Sequence, residues 1–171
     1  MTGVADIIGP HLRVLFCGIN PGLMSGQLGQ HFARPGNRFW KLLAASGLTD
    51  RLLVPAEQDQ LLSYGLGITN IVEATTASAA ELPAADLRAG APRLEAKAVA
   101  LAPACVAVLG MQAYRVAFRR PGATLGRQVE PLGESMLWLL PNPSGLQARY
   151  QMAEMTELWA ELAADTPTSA R

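Results

Sequence analysis

The sequence has few of the residues that build metal centres, disulfides or redox sites. Its 171 residues include two cysteines and two histidines, and Cys17 and Cys105 each lie inside a short apolar run. Such thiols are typical of reduced core residues in a protein from a reducing compartment. Because His11 and His31 are isolated and show no ligand spacing, the sequence predicts no metal and no other cofactor.

An excess of charge and a long apolar run are also missing. Lys plus Arg and Asp plus Glu number 14 each, so no global field attracts the protein to a polyanion, and any nucleic acid must meet a local patch. No run approaches the roughly 18 apolar residues of a membrane span, and residues 1–10 do not resemble a secretory signal. We expect a cytoplasmic monomer with no membrane partner, associated with the nucleoid if the source is bacterial.

Half of the residues are hydrophobic, and they form short apolar runs that alternate with segments of helical spacing. Strands are predicted over 14–17, 66–72, 105–109 and 136–140, and helices over 37–45, 57–64, 84–101, 111–118 and 150–164. The predicted fold class is α/β, with three α/β/α layers around a mostly parallel central sheet. Residues 1–164 are predicted to form a single domain and 165–171 a disordered tail.

Three details of this prediction depend on glycine and proline. Residues 19–36, which contain four glycines, are predicted to form a long loop, and residues 73–83 another. Gly90 and Pro92 make the first half of the third helix doubtful, because both residue types disfavour a helix interior.

Two Asn-Pro loops stand out, at 18–23 (GINPGL) and 142–146 (NPSGL). Each directly follows a predicted strand, so both are expected at the carboxyl edge of the sheet, where open α/β sheets bind ligands. Glycines let the backbone approach a ligand closely, and Pro21 restricts the chain beside Asn20. An ordinary turn uses the same residue types, so this alternative stays open on the motif alone.

These loops, together with NRFW at 37–40 and TNIVE at 69–73, resemble the mismatch-specific uracil-DNA and thymine-DNA glycosylases, a branch of the uracil-DNA glycosylase superfamily. The likeness extends from about residue 13 to 160, and two motifs in the right order make it specific. It implies a hydrolase of base excision repair that flips a mispaired or damaged pyrimidine out of duplex DNA and hydrolyses its N-glycosidic bond.

The resemblance assigns a DNA wedge to the second motif. Leu146, backed by Gly145 and Ser144, would enter the duplex and fill the space left by the flipped nucleotide. A core leucine at the end of the last strand is the alternative. Family wedges often carry an arginine two residues after the leucine, where this chain has Ala148. Either Arg149 substitutes for it, or the opposite base is read more weakly.

Phosphate contacts are expected from three side chains and from loop amides, because such contacts position a protein on DNA without reading its sequence. The side chains are those of Ser25, Ser144 and Arg149. A short basic run, formed by Arg34, Arg38 and Lys41, lies beside the first loop. It is equally compatible with a solvated helix face.

By the same resemblance, the base pocket is bordered by the backbone of Gly18, Ile19 and Leu23, and Phe32 stacks on the uracil ring. A core aromatic is the alternative for Phe32. Gly22 stands where efficient uracil enzymes carry a tyrosine that excludes the thymine methyl group. The pocket is therefore expected to admit 5-substituted uracils, with G·U as the best substrate and G·T a weak one.

Asn20 matches the family residue that positions the attacking water, and Asn142 stands where efficient uracil enzymes carry a histidine. Since an amide is no strong base, the expected enzyme is slow and depends on orientation and charge stabilisation. A carboxylate, Glu73 or Asp86, is a candidate auxiliary base, although Asp86 also suits the first turn of a helix. Neither motif contains a lysine, which argues against a lyase.

The expected partners are duplex DNA with a mispaired or damaged pyrimidine and the downstream enzymes that process abasic sites. A rival interpretation is a non-catalytic member of the same fold that binds mismatched or damaged DNA. Asn20 and Phe32 discriminate the two, since a protein that only binds DNA needs neither. A nucleotide-binding protein is disfavoured because the sequence has neither a GxGxxG fingerprint nor a P-loop.

Overall fold

A computed structural model describes residues 3–168, which form a five-stranded sheet covered by helices on both faces. The sheet order is β2-β1-β3-β5-β4. The strands are β1 (Val14–Gly18), β2 (Leu66–Asn70), β3 (Cys105–Leu109), β4 (Gly126–Arg127) and β5 (Met136–Leu140). Strands β2, β1, β3 and β5 are parallel, whereas β4 pairs antiparallel with β5. The predicted α/β class with a mostly parallel central sheet is therefore confirmed.

Five α-helices and two 3₁₀ segments connect the strands. The helices are α1 (Leu23–Leu28), α2 (Phe39–Ala45), α3 (Ala84–Leu101), α4 (Met111–Ala117) and α5 (Met152–Asp165), and the 3₁₀ segments are Pro55–Tyr64 and Ala79–Glu81. No helix within residues 3–168 is long and apolar enough to cross a bilayer.

The four parallel strands are buried on both faces along most of their length, as their apolar runs predict. Because side chains alternate along a strand, Phe16 packs on one face of the sheet with α2 and α5. Leu15 packs on the other face with α3 and α4. The first of these cores is aromatic, since Phe16 stacks on Trp159 at 5.0 Å and meets the edge of Phe39 at 5.4 Å. Helix α2 packs into this aromatic core through Phe39.

The structure corrects several of the predicted elements. Helix α1 lies inside the segment predicted to be an unbroken loop, and residues 57–64 belong to a 3₁₀ segment rather than an α-helix. Strand β4 was missed because two residues carry no readable alternation. Helix α3 is continuous through the doubtful positions. At Gly90 a Cβ would lie 2.3 Å from the carbonyl oxygen of Ile71, so glycine permits close packing there, and Pro92 lies on the exposed side of the helix.

The chain end also differs from the prediction of a tail disordered from residue 165. Asp165 is the last residue of α5, and its carboxylate accepts a 2.9 Å hydrogen bond from the indole of Trp138. Thr166 is buried and its hydroxyl accepts a hydrogen bond from Arg13. The prediction is therefore wrong for these two residues, because tertiary hydrogen bonds hold them. Residues 169–171 lie outside the described part of the chain.

Candidate functional site

The carboxyl ends of the parallel strands open into a cleft with a volume of about 720 Å³. Two loops that follow strands line it, the β1 loop (residues 18–22) and the β5 loop (residues 142–150), with α1 and the segments 31–37 and 76–79 beside them. Parallel strands end at the same edge of a sheet, which brings the two Asn-Pro motifs together. The prediction that both motifs share one edge is confirmed.

Asn20 lies in this cleft with its amide group held by the segment after β2. Its Nδ2 donates to the carbonyl oxygen of Ala74 and to Oγ1 of Thr76, both at 2.8 Å. The Thr76 hydroxyl donates in turn to the carbonyl oxygen of Ser78 at 2.8 Å. Because both amide hydrogens are engaged, the amide cannot flip without losing these bonds. The oxygen Oδ1 is then the atom that Asn20 can offer to a molecule in the cleft.

The β1 loop is bonded through its backbone to the segment that follows β2. Backbone bonds join Ile71 N to Gly18 O and Val72 N to Ile19 O at 2.9 Å, and Thr76 N to Pro21 O at 3.2 Å. These bonds continue the pairing of β1 with β2 beyond the ends of both strands. The loop is therefore rigid, as expected of a segment that must position a reacting group.

Phe32 reaches the cleft through an unusual backbone conformation. Its φ is +51°, in the left-handed region that bulky residues rarely adopt and that costs about 1–3 kcal/mol. Its ring stacks on Phe39 with centroids 4.1 Å apart. Phe32 is thus partly buried against the aromatic core and also lines the cleft, which combines the two interpretations that the sequence left open.

Asn70, at the end of β2, was not singled out from the sequence. It lines the cleft, and its Oδ1 lies 2.6 Å from the position that a Cβ on Gly18 would occupy. The same Cβ would lie 3.3 Å from the ring of Phe32. Gly18 is therefore required for the close approach of Asn70 and Phe32 to the backbone. The signal available in the sequence was a polar residue that ends a buried strand at the same sheet edge.

His31 was also missed as a cleft residue, since the sequence showed it only as an isolated histidine. Its side chain is buried, with Nε2 at 2.7 Å from the carbonyl oxygen of Ala5. Nε2 must therefore donate, and burial lowers the pKa of the ring, so His31 is neutral near pH 7. Its own carbonyl oxygen accepts from the indole of Trp40 at 3.3 Å. These bonds fix the backbone just before Phe32.

Three further predicted residues, two in the first motif and one just after it, have distinct environments. A Cβ added at Gly22 would meet no atom within 4 Å, so this part of the cleft has room for a substituent. Leu23 is 47% exposed and lines the cleft beside Ile19. Ser25 is buried and its Oγ accepts from the backbone N of Ala33 at 3.1 Å. That burial argues against the predicted phosphate contact of Ser25.

Leu146 stands at the crest of the β5 loop and is 66% exposed, so the alternative of a core leucine is wrong. The turn beneath it is built from side-chain hydrogen bonds. Asn142 Oδ1 accepts from Ser144 N at 2.9 Å, and Ser144 Oγ accepts from Leu146 N at 3.2 Å. A Cβ on Gly145 would lie 2.6 Å from Gly36 O. Asn142 and Ser144 therefore shape the loop, and Gly145 allows it to pack closely.

The basic residues near the cleft do not act as a uniform face. Arg149 is exposed outside the cleft, with its guanidinium 5.5 Å from the centroid of the Tyr150 ring, where it is free to meet a phosphate. Arg34 lines the cleft. Arg38 directs its guanidinium to the backbone of the β5 loop, so it is not part of the solvated face that the sequence left possible.

The structure does not bring the candidate carboxylates to the cleft. Asp86 is exposed in the first turn of α3, where an acid interacts favourably with the helix dipole. Glu73 lines a separate depression near the chain start. Within residues 3–168 the cleft lining contains no carboxylate and no lysine, and no group of residues there could hold a metal ion. The polar and aromatic groups of the cleft lining are thus amides, hydroxyls, the ring of Phe32, the buried His31 and the guanidinium of Arg34.

Comparison with known proteins adds a family context to this cleft. A family model described as the uracil DNA glycosylase superfamily matches residues 5–163. Among solved structures, the chain is similar to a Methanosarcina acetivorans protein, determined by solution NMR and named as a proposed uracil DNA glycosylase. The two share 18% sequence identity, with a TM-score of 0.54 over 95% of this chain and 99% of that chain. At that identity the likeness demonstrates a common fold only.

Proposed function

Because this chain belongs to the uracil DNA glycosylase superfamily, we propose that it is a monofunctional DNA glycosylase that starts base excision repair. It removes uracil and related damaged or mispaired pyrimidines from duplex DNA, with G·U preferred and G·T processed weakly. The observation that carries the proposal is the anchored amide of Asn20, which shares one cleft with the ring of Phe32 and the exposed Leu146.

The first step is extrusion of the target nucleotide, which costs a few kcal/mol and least for a base that is already mispaired. Leu146 projects from the β5 loop and is suited to occupy the vacated space. The extruded ring stacks on Phe32, and the side-chain amides of Asn70 and Asn142 offer hydrogen-bonding groups to its edge. Selection of mispaired over paired bases then follows from the smaller cost of extrusion.

In the second step the bond between C1′ and N1 breaks, and its electron pair leaves with the pyrimidine. A water oxygen bonds to C1′ and releases a proton to solvent. Asn20 Oδ1 orients this water by accepting a hydrogen bond from it. Since the cleft lining offers no carboxylate within residues 3–168, departure of the pyrimidine anion leads the reaction and turnover is slow. The described cleft lining also has no lysine, which supports hydrolysis over a Schiff-base lyase reaction.

The proposed substrate range rests on Gly22. The open space around this residue leaves room for a group at the 5-position of uracil. A pocket that merely tolerates a methyl group discriminates by about 1–3 kcal/mol at most. We therefore expect small 5-substituted uracils to be cleaved, with thymine slower because a G·T pair resists extrusion more than a damaged pair does.

The proposal is tested by incubating the protein with labelled duplexes that carry G·U, A·U or G·T pairs, followed by alkali cleavage at abasic sites. Strand breaks at G·U that exceed those at A·U and G·T are expected. Tight binding to all three duplexes with no breaks would instead support the non-catalytic DNA-binding protein. The anchored Asn20 favours the enzyme, because a protein that only binds DNA has no use for an oriented amide.

The proposal also covers the downstream partner, the cellular location and the oligomeric state of the enzyme. Its product is an abasic site, which requires a second enzyme that cleaves the sugar-phosphate backbone. We place the protein in the cytoplasm, at the nucleoid if the cell is bacterial, and expect it to act as a monomer. Light scattering of the protein with one equivalent of duplex should give a complex of one chain per lesion.

A further inference from the structure

Arg38, the residue just before α2, holds the β5 loop through its backbone. Its Nη1 donates to the carbonyl oxygen of Tyr150 at 2.9 Å. Its Nη2 donates to the carbonyl oxygens of Ser144 at 2.9 Å and Gln147 at 3.1 Å. The backbone N of Arg38 donates to the carbonyl oxygen of Pro143 at 2.9 Å, with Nε at 3.5 Å from the same atom. One side chain thus contacts the loop on both sides of Leu146.

The segment that carries Arg38 is held in place by the core. Arg38 directly precedes Phe39 and Trp40, which are buried in the aromatic core. The start of α2 is also fixed by a 3.0 Å hydrogen bond from Phe39 N to Asn37 Oδ1. A second contact joins the same segment to the loop, because Gly36 O lies 2.6 Å from the position of a Cβ on Gly145. The loop therefore rests on a segment that the core holds in place.

The guanidinium of Arg38 is directed at carbonyl oxygens and not at an acid. Within residues 3–168, Arg38 takes part in no salt bridge. A planar guanidinium offers five N–H donors on three nitrogens, which can reach carbonyl groups that lie apart, whereas the three N–H donors of a lysine share one nitrogen. The loop itself has no helix or strand over residues 142–150, so its conformation depends strongly on this side chain.

We propose that Arg38 is a positioning residue that holds the β5 loop in the conformation that presents Leu146 to the duplex. This inference rests on the proposed function and adds a residue to it. Loss of the Arg38 fork leaves several partly buried carbonyl groups without this donor, and the loop rearranges to satisfy them. Leu146 then no longer occupies the space left by the extruded nucleotide. Base extrusion therefore becomes less favourable, while the cleft around Asn20 is unchanged.

The test compares Arg38→Met, which keeps a linear apolar stem, with Arg38→Lys, which keeps the charge. Single-turnover cleavage is measured on a G·U duplex and on an unpaired uracil in a bulge. We expect Arg38→Met to slow duplex cleavage by about tenfold to a hundredfold and bulge cleavage by less than about threefold, with Arg38→Lys giving little rescue. The control Arg93→Met removes an exposed arginine from α3, on the opposite face of the sheet.

A double variant tests whether Arg38 acts through the wedge. If it does, Leu146→Ala with Arg38→Met should be no slower on the duplex than the slower single variant, because both remove the same event. The inference would be overturned if the rate losses of the two single variants multiplied in the double variant. It would also be overturned if Arg38→Met slowed cleavage equally on the duplex and the bulge. A smaller fraction of folded protein lowers both cleavage rates equally and leaves the ratio of duplex to bulge cleavage unchanged. This ratio therefore distinguishes a stability defect from a positioning defect.

A fluorescent reporter keeps this test independent of cleavage. A 2-aminopurine placed beside the target uracil brightens when the neighbouring base leaves the stack. Wild-type protein should raise its emission, and Arg38→Met should lose most of that rise even at saturating protein. Full emission with the variant would contradict the inference. A wild-type protein that cleaves neither substrate would count against the proposed function, while the emission would still decide the role of Arg38.

Discussion

The two loops that line the cleft are held in opposite ways. The β1 loop is bonded backbone to backbone to the segment after β2, and its key side chain is anchored at 2.8 Å to two acceptors. The β5 loop is exposed at its crest and is held by turn-forming side chains and by one arginine. Each mode suits the proposed task, because orienting a water requires rigidity and insertion into DNA requires exposure.

The largest effect is expected from Asn20→Ala, which removes the oriented amide of the β1 loop. Single-turnover cleavage of a G·U duplex should fall by about a hundredfold to a thousandfold, comparable to the loss of one oxyanion-hole donor. Duplex affinity should be retained, since phosphate contacts supply most of it. An Asn20→Ala enzyme with full activity would remove Asn20 from the mechanism.

Leu146→Ala addresses the β5 loop and should have the next largest effect. Truncation of a wedge that is buried only in the complex should slow duplex cleavage by about tenfold to a hundredfold. An unpaired uracil in a bulge leaves less space to fill, so its cleavage should change little. Both substrates are compared under single-turnover conditions. Equal losses on the two would indicate a folding defect rather than a wedge.

A variant of Thr76 tests the hydrogen bond that anchors Asn20 while Asn20 itself is kept. Thr76→Val removes the hydroxyl that accepts from Asn20 Nδ2, so the amide loses one of its constraints and cleavage should slow by about tenfold. Thr76→Ser keeps the acceptor and serves as the matched control. The melting temperatures of both variants are measured alongside the rates. If the valine and serine variants were equally active, this anchor would have no part in catalysis.

Gly22→Tyr should leave uracil cleavage within a few fold while reducing cleavage of 5-substituted uracils by about tenfold or more. The open space at Gly22 and its ordinary φ of −75° accommodate a side chain without backbone strain. Relative rates for uracil and 5-methyl or 5-halogenated uracil, each opposite guanine, provide the measurement. Unchanged ratios would contradict the steric account of substrate range.

The smallest effect is expected from Asp86→Asn. Because Asp86 is exposed at the start of α3 and outside the cleft, its loss should leave the rate unchanged and cost at most about 1 kcal/mol of stability through the helix dipole. Cleavage rates and thermal melts of the variant are sufficient. A marked rate loss with normal stability would restore Asp86 as an auxiliary base.

Much of the fold was predictable because β1, β3 and β5 are short strands without a charged or polar side chain. The runs at 105–109 and 136–140 match β3 and β5, and helix α3 spans the predicted 84–101. The misses share a cause. Helix α1 is short and contains glycine, and β4 has only two residues, so neither carries enough periodicity to be read from sequence. The last residues of the domain depend on hydrogen bonds from distant side chains.

The candidate site divides in the same way. Its motif residues, such as Asn20 and Leu146, were identified through a resemblance of local sequence, which preserves residue type and order. Asn70, His31 and Arg38 were not assigned their places, because the groups that the His31 and Arg38 side chains bind are 26 to 112 positions away in the chain and Asn70 meets its neighbours only across the cleft. No local pattern encodes such contacts.

By itself, then, the amino-acid sequence determined the alternation of buried strands and helices and the chemistry of the two loops, since both depend on residues that are neighbours along the chain. The tertiary structure decided which way each side chain is used. It anchors the amide of Asn20, turns Ser25 inward, leaves Leu146 exposed and directs Arg38 to loop carbonyls. These outcomes depend on which groups the folded chain brings within hydrogen-bonding distance, and only the packed sheet and helices set those distances.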